Sequence, residues 1–290
     1  MLLGDGTPDS PCPSATILVL RDALGGLEVL LLKRHDLSDV LGGAYVFPGG
    51  KVEAADDAFS GGLDREEREL HEALGEPAID PSDAAALYVA AIREAFEEAG
   101  VLFAPVTGER SRTALAHMRG GATFTETMHA LGVRPATAML VPWTRWVTPR
   151  NSLRARKHFD ARFFVASLPH GQEPAHDDHE TTELVWLAPS EALRQYWDGR
   201  IELVPPQIMS LAHLARFARV DEVLTYARVR KPPRIQPETF QEDGLQMVCY
   251  PGDERHSVRI AAMPGPTRLC LRNDRFEPLG GFPDLLGRDG

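Results

Sequence analysis

Residues 93–100 read REAFEEAG, and three of these eight positions are glutamates. At roughly 100° per residue, Glu94, Glu97 and Glu98 fall at about 0°, −60° and +40°, so their carboxylates occupy one narrow face of a helix. Ile92, Phe96 and Ala99 lie on the other side, where they can pack on a sheet. Like charges four residues apart cost roughly 0.2–0.5 kcal/mol, and acids in the last turn meet the negative end of the helix dipole at roughly 0.3–1 kcal/mol each. Arg93, beside Glu94 and one turn before Glu97, relieves part of this. A divalent cation would relieve it more fully, since hard carboxylate oxygens on a rigid element are what Mg²⁺ or Mn²⁺ uses when it works on phosphates. A solvated face is nevertheless the usual fate of such a cluster, and the helix alone does not decide.

Working outward, the alanine-rich run AAALYVAAIREAFEEAG (84–100) predicts a long helix, with Ser82 or Asp83 as its cap and Gly100 just past its end. Upstream, GGAYVFPGGKVEAAD (42–56) is too rich in glycine for a regular element and reads as a short strand followed by a loop. Its paired glycines let the backbone approach a ligand, so that an amide or carbonyl of Gly49 or Gly50 can join the carboxylates. Between loop and helix, residues 57–82 carry DREERELHEALG and read as an insertion holding a short exposed helix.

ATILVLRD (15–22) and LEVLLLKR (27–34) predict two paired strands. After the long helix come one or two helices within 111–132, then extended runs at 137–149, 158–168 and 180–189. Helices open at Pro189-Ser190 and over 206–218. This is a mixed α/β pattern, expected to form one domain over 12–231. From residue 232 a proline-rich texture with short strand-like runs predicts a C-terminal extension packed on that domain.

The 290 residues are 43% hydrophobic with a net charge of −11, and the acids are spread along the chain, so a nucleic-acid surface is not expected. Three separated cysteines fit isolated thiols in a reducing compartment. No secretory pattern and no apolar run of about 20 residues is present, which predicts a cytoplasmic protein without membrane partners.

The loop and helix together resemble the Nudix box, the signature of hydrolases that cleave a nucleoside diphosphate linked to another moiety. The family pattern is a glycine, five residues, Glu, seven residues, then Arg-Glu-apolar-x-Glu-Glu-x-Gly-apolar. Here Gly50 is followed by KVEAA and Asp56, and later by Arg93 through Val101, which match the second half at every fixed position. Asp56 stands where the family has its first Glu, and residues 57–92 stand where it has seven. A box split in this way, with FPGGKVEAAD before it, AAIREAFEEAGVL after it and TRWVTPRNSLRARKHFDARFFVASLP (144–169) further on, looks like the branch that includes the peroxisomal coenzyme A diphosphatases. LLGRDG at the end carries no peroxisomal tripeptide, so that location is not expected here.

The resemblance implies an α/β/α sandwich around a mixed sheet, with Glu94, Glu97 and Glu98 holding Mg²⁺ or Mn²⁺ and the Gly50 carbonyl as a further ligand. Arg93 would orient the glutamates. The implied reaction is attack of water on a phosphorus of the diphosphate, with Glu97, Glu98 or a glutamate from a distant loop taking the proton. Glu180 is the candidate for that loop glutamate and Glu183 the second. His176, Asp177, Asp178 and His179 read as a polar loop. Lys33, Arg34, Arg154, Arg156, Lys157 and Arg162 are candidates to receive substrate phosphates, with surface charge as their plainer reading. The expected partner is a small nucleotide conjugate of the coenzyme A type, with at most a second copy of the chain beside it. NADH, ADP-ribose or a dinucleoside polyphosphate is the alternative substrate, and a non-catalytic Nudix-fold sensor or scaffold the alternative of another class.

Overall fold

Apolar residues on the first two strands alternate between two cores, and that alternation sets the layers of the molecule. Ala15, Ile17, Val19, Leu30 and Leu32 are buried in one core, and Leu18, Leu20, Val29 and Leu31 in the other. A strand places successive side chains on opposite faces, so a strand apolar throughout must be covered on both sides. The computed structural model describes residues 11–35, 43–59, 62–149, 157–175 and 181–287.

Strands β1 (Cys12–Ala23) and β2 (Gly26–Arg34) form the expected hairpin. The glycine-rich stretch gives two short strands, β3 (Tyr45–Val46) and β4 (Gly49–Lys51), and then a 3-10 turn over Ala54–Phe59. The insertion contains α1 (Glu67–Leu74), followed by α2 (Pro81–Ala99), α3 (Gly108–Arg119) and α4 (Phe124–Leu131). Next come β5 (Val141–Val147), β6 (Phe159–Ser167) and β7 (Thr181–Leu187), then α5 (Pro189–Trp197), α6 (Pro205–Leu214) and α7 (Val220–Arg228). The chain continues through β8 (Arg234–Ile235), β9 (Glu238–Glu242), β10 (Leu245–Cys249), β11 (Arg268–Arg272), β12 (Arg275–Pro278) and α8 (Phe282–Leu286).

The main sheet runs β3-β2-β1-β6-β5-β8, with β4 also paired to β1 and β7 to β2. It is mixed: β1 lies parallel to β6, whereas β2, β4 and β7 join antiparallel. Helices α1 to α4 contribute to the first core and α5 to α8 to the second, which gives the expected α/β/α sandwich. The C-terminal strands form a second antiparallel sheet, β12-β11-β10-β9. It is tied to α5 where Tyr196 Oη donates to the Phe276 carbonyl and accepts from the Phe276 N–H, both at 2.9 Å.

Two expectations are corrected and one element is added. Helix α2 begins at Pro81 with Asp80 as its N-cap, a few residues earlier than a cap at Ser82 or Asp83, because proline suits the first helical position. Its end is as expected, with Gly100 at φ 65° donating to the Phe96 carbonyl. The helix is also buried nearly all round rather than two-sided, since the insertion is not a mere surface excursion: Leu70 and Leu74 of α1 join the same core. Finally, α7 was not anticipated, although Val220, Val223 and Ala227 recur at helical spacing and are buried.

Candidate functional site

The acidic turn of α2 is packed against the two glycines of β4. That strand lies antiparallel beside β1, with Thr16 opposite Gly49 and Ala15 opposite Gly50. A Cβ on Gly49 would stand 2.6 Å from the Ala15 carbonyl oxygen, and one on Gly50 would stand 2.2 Å from Glu94 Oε1. Any side chain at either position would collide, so the pair lets the helix carboxylates reach the backbone. The Gly49 N–H donates to Glu98 Oε2 at 2.9 Å.

Arg93 organises the rest. Its Nη1 donates to Glu94 Oε1 at 2.9 Å and to Glu97 Oε2 at 2.8 Å, its Nε to Asp56 Oδ1 at 2.8 Å, and its Nη2 to the Lys51 carbonyl at 2.9 Å. Asp56 is held in turn by the Glu53 N–H at 2.7 Å. Although 37 positions separate Asp56 from Arg93, the 3-10 turn returns the shorter carboxylate to the guanidinium. Burial works against the charge on Arg93, but the Asp56 hydrogen bond and the Glu94, Asp56 and Glu97 charges outweigh it and raise its pKa.

Exposure differs among the three glutamates. The Glu98 side chain is 5% exposed, Glu94 13% and Glu97 36%. Burial is the largest influence on Glu94 and pushes its carboxyl up to about 7 against the pull of Arg93. Burial raises Glu97 as well. Three carboxyl groups, those of Asp56, Glu94 and Glu97, thus depend on one guanidinium. Glu98 faces Arg34, whose Nη1 is 3.8 Å away. Among the described residues no three acids, histidines or cysteines converge on a single point; Arg93 Nη1 sits between Glu94 and Glu97, and Glu98 is turned to Gly49. The donor set itself fits a hard divalent cation, which would hold these desolvated carboxyls ionised.

A family profile, that of the NUDT19 Nudix domain, matches residues 62–214, more than half of the chain. The chain belongs to the NUDT19-type Nudix hydrolases. As a Nudix hydrolase it is an enzyme that cleaves phosphoanhydrides. Among curated relatives, the Xenopus laevis acyl-coenzyme A diphosphatase NUDT19 is 29% identical over 91% of this chain and 81% of its own length. A putative nudix hydrolase 7 of Caenorhabditis elegans is 27% identical over 78% and 68%. A Nudix hydrolase crystal structure from Alicyclobacillus acidocaldarius superposes with a TM-score of 0.61 at 24% identity, covering 76% of this chain and 97% of that one, and it supports the fold.

Not every residue read from the sequence stands at the Nudix box. Arg162 is corrected: its side chain is 2% exposed, Nε and Nη2 grip the Glu76 carboxylate at 3.0 and 2.6 Å, and no surface is left for a substrate phosphate. Lys33 and Arg34 are neighbours on one strand and therefore diverge, Arg34 toward Glu98 and Lys33 into register with Tyr45 and Glu183. Glu183 accepts the Tyr45 hydroxyl at 2.7 Å, and Tyr45 belongs to the second core, across the sheet from α2. Glu180, Arg154, Arg156 and the stretch His176–His179 lie outside the described residues. The Gly49–Glu98 bond and the approach of Arg34 were not read from the sequence. Strand alternation is the signal that could have separated Arg34 from Lys33.

No helix among the described residues is long and apolar enough to cross a membrane.

Proposed function

We propose that this Nudix hydrolase is a divalent-metal-dependent pyrophosphohydrolase that cleaves the diphosphate of coenzyme A or its acyl thioesters. The observation that carries the reading is the meeting of the two halves of the split box: Asp56 on Arg93, Gly49 on Glu98 and Gly50 against Glu94. The substrate class rests on the named activity of the relatives.

In this reading Glu94, Glu97 and Glu98 hold Mg²⁺ or Mn²⁺, with the Gly50 carbonyl as a further donor. Bound there, the ion would neutralise charge developing on the diphosphate and lower the pKa of the attacking water. Arg93 does not touch substrate; it keeps Glu94 and Glu97 at fixed spacing and is itself fixed by Asp56 and the Lys51 carbonyl. Arg34, which lies beside Glu98, would meet a substrate phosphate in this reading. A new P–O bond forms from water as the anhydride P–O bond breaks, and a carboxylate accepts the proton. Glu97, the most exposed of the three, or Glu180 takes that role. The products are a phosphopantetheine-type phosphomonoester and adenosine 3′,5′-bisphosphate.

A product-resolved panel of coenzyme A, acyl-coenzyme A, NADH, ADP-ribose and a dinucleoside polyphosphate, run with Mg²⁺ or Mn²⁺ and after chelation, tests the proposal. Coenzyme A species should be cleaved fastest, with the activity lost on chelation. Clear turnover of another conjugate beside inactivity on all coenzyme A species would reject the substrate, and inactivity on the whole panel would favour a ligand sensor. The glycine contact makes a separate prediction. Gly50→Ala drives a methyl into Glu94 Oε1, so that Glu94 must leave Arg93; kcat should fall about tenfold or more, equivalent to about 1.4 kcal/mol of barrier. Unchanged kcat in the folded variant would mean that this approach has no part in catalysis.

A further inference from the structure

A second polar cluster lies on the face of the sheet away from α2. The register of β5 against β6 shifts between Pro142 and Thr144, and Trp143, at that irregularity, stacks on His213 of α6 with ring centroids 4.4 Å apart. Phe217 and Tyr226 close the other sides of the imidazole, at 5.9 and 5.3 Å. His213 is only 4% exposed, yet among the described residues neither ring nitrogen has a hydrogen-bond partner, and Trp143 Nε1 has none either. Buried polar groups are paired as a rule, so this box is short of a partner that the described residues do not supply.

What would pair with them follows from the charges. His213 and Trp143 line a cleft together with Pro142, Tyr226, Arg230 and Lys231. Arg230 lies over the Tyr226 ring at 4.5 Å. The charged groups that act on His213 are Arg230 and Arg216, both cations, and together with burial, the largest influence, they hold the imidazole neutral with a pKa of about 3. The cleft has a free volume of about 10 Å³, room for one water-sized group beside the rings. A site with unmet N–H donors inside, cations at its mouth and space for a single oxygen is suited to an oxyanion that inserts one oxygen and leaves the rest at the rim.

We propose that this cleft binds a phosphoryl oxyanion, with one oxygen reaching the N–H groups of His213 and Trp143 and the remainder held by Arg230 and Lys231. The group is either free phosphate or the end of a phosphomonoester. The site is separate from the Nudix box, and the proposal does not depend on which conjugate the enzyme cleaves.

The test is a titration of the full-length ¹⁵N-labelled protein with inorganic phosphate, and in parallel with adenosine monophosphate, at ionic strength held constant with sodium chloride. The indole N–H resonance of Trp143, assigned from Trp143→Phe, should shift saturably with at least one of the two ligands. The ligand that binds identifies the source. Arg230→Ala/Lys231→Ala, at two exposed positions, should weaken that binding about tenfold or more, and Glu98→Gln should leave it unchanged. No saturable shift with either ligand would mean that a water fills the cleft and would overturn the proposal. So would undiminished affinity in Arg230→Ala/Lys231→Ala, or affinity lost in Glu98→Gln, which would place the ligand at the acidic helix instead.

Discussion

Glu98→Gln and Glu97→Gln should each lower turnover by about 10²- to 10⁴-fold, equivalent to roughly 2.7–5.4 kcal/mol of barrier, while the protein stays folded. The two substitutions remove a charge and almost nothing else. In Glu98→Gln the amide oxygen can still accept the Gly49 N–H, so the junction of helix and strand is kept while the anionic oxygen facing Arg34 is lost. In Glu97→Gln the amide oxygen can still accept from Arg93 Nη1, and the half-exposed side chain makes little demand on packing. A steric or folding origin for any loss is thereby excluded if the melting temperature is retained. Initial rates on coenzyme A with saturating Mg²⁺ or Mn²⁺, read beside a thermal melt, make the measurement. Wild-type turnover in both variants would remove the acidic face of α2 from the mechanism, whatever the substrate.

How much of this could be read beforehand depended on how local each cause was. The hairpin β1-β2 and the end of α2 at Gly100 are set by residues within a few positions of each other, and both were legible. The grip of Arg93 on Glu94 and Glu97 was legible for the same reason, being a matter of helical spacing. The return of Asp56 to Arg93 was not, because nothing in the spacing says that an insertion will close its ends onto one guanidinium. Arg162 shows the converse. Its run of basic neighbours suggested a phosphate site, and only the register that sets it opposite Arg145, with Glu76 reaching both, reveals a buried structural pair. The C-terminal strands were visible as short extended runs, but their sheet is built from pairings that composition does not encode.

That Glu76 contact carries the largest expected effect on stability. Glu76 belongs to the insertion that splits the box, and its carboxylate takes Arg162 Nε at 3.0 Å, Arg162 Nη2 at 2.6 Å and Arg145 Nη1 at 2.7 Å. The other end of the insertion is held where Asp64 accepts the Thr137 N–H at 2.8 Å and the Ala138 N–H at 3.2 Å. Among the described residues, Glu76→Ala would leave Arg162, 2% exposed, with only Asp160 to balance it, beside Arg145. Breaking a buried pair in this way costs about 3–5 kcal/mol. At about 2–4 °C per kcal/mol for a chain of this size class, the melting temperature should fall by roughly 10 °C. Helix α2 starts at Pro81, shortly after Glu76, so its placement against β4 should loosen and kcat should fall with it. The size of the loss comes mostly from the orphaned guanidinium rather than from the bond itself. Glu76→Ala/Arg162→Met should therefore be more stable than Glu76→Ala alone, which a simple loss of contacts would not produce. A double variant no more stable than the single one would show that Arg162 finds water or Asp160 sufficient, and that the insertion is fastened by Leu70, Leu74 and Asp64 without it.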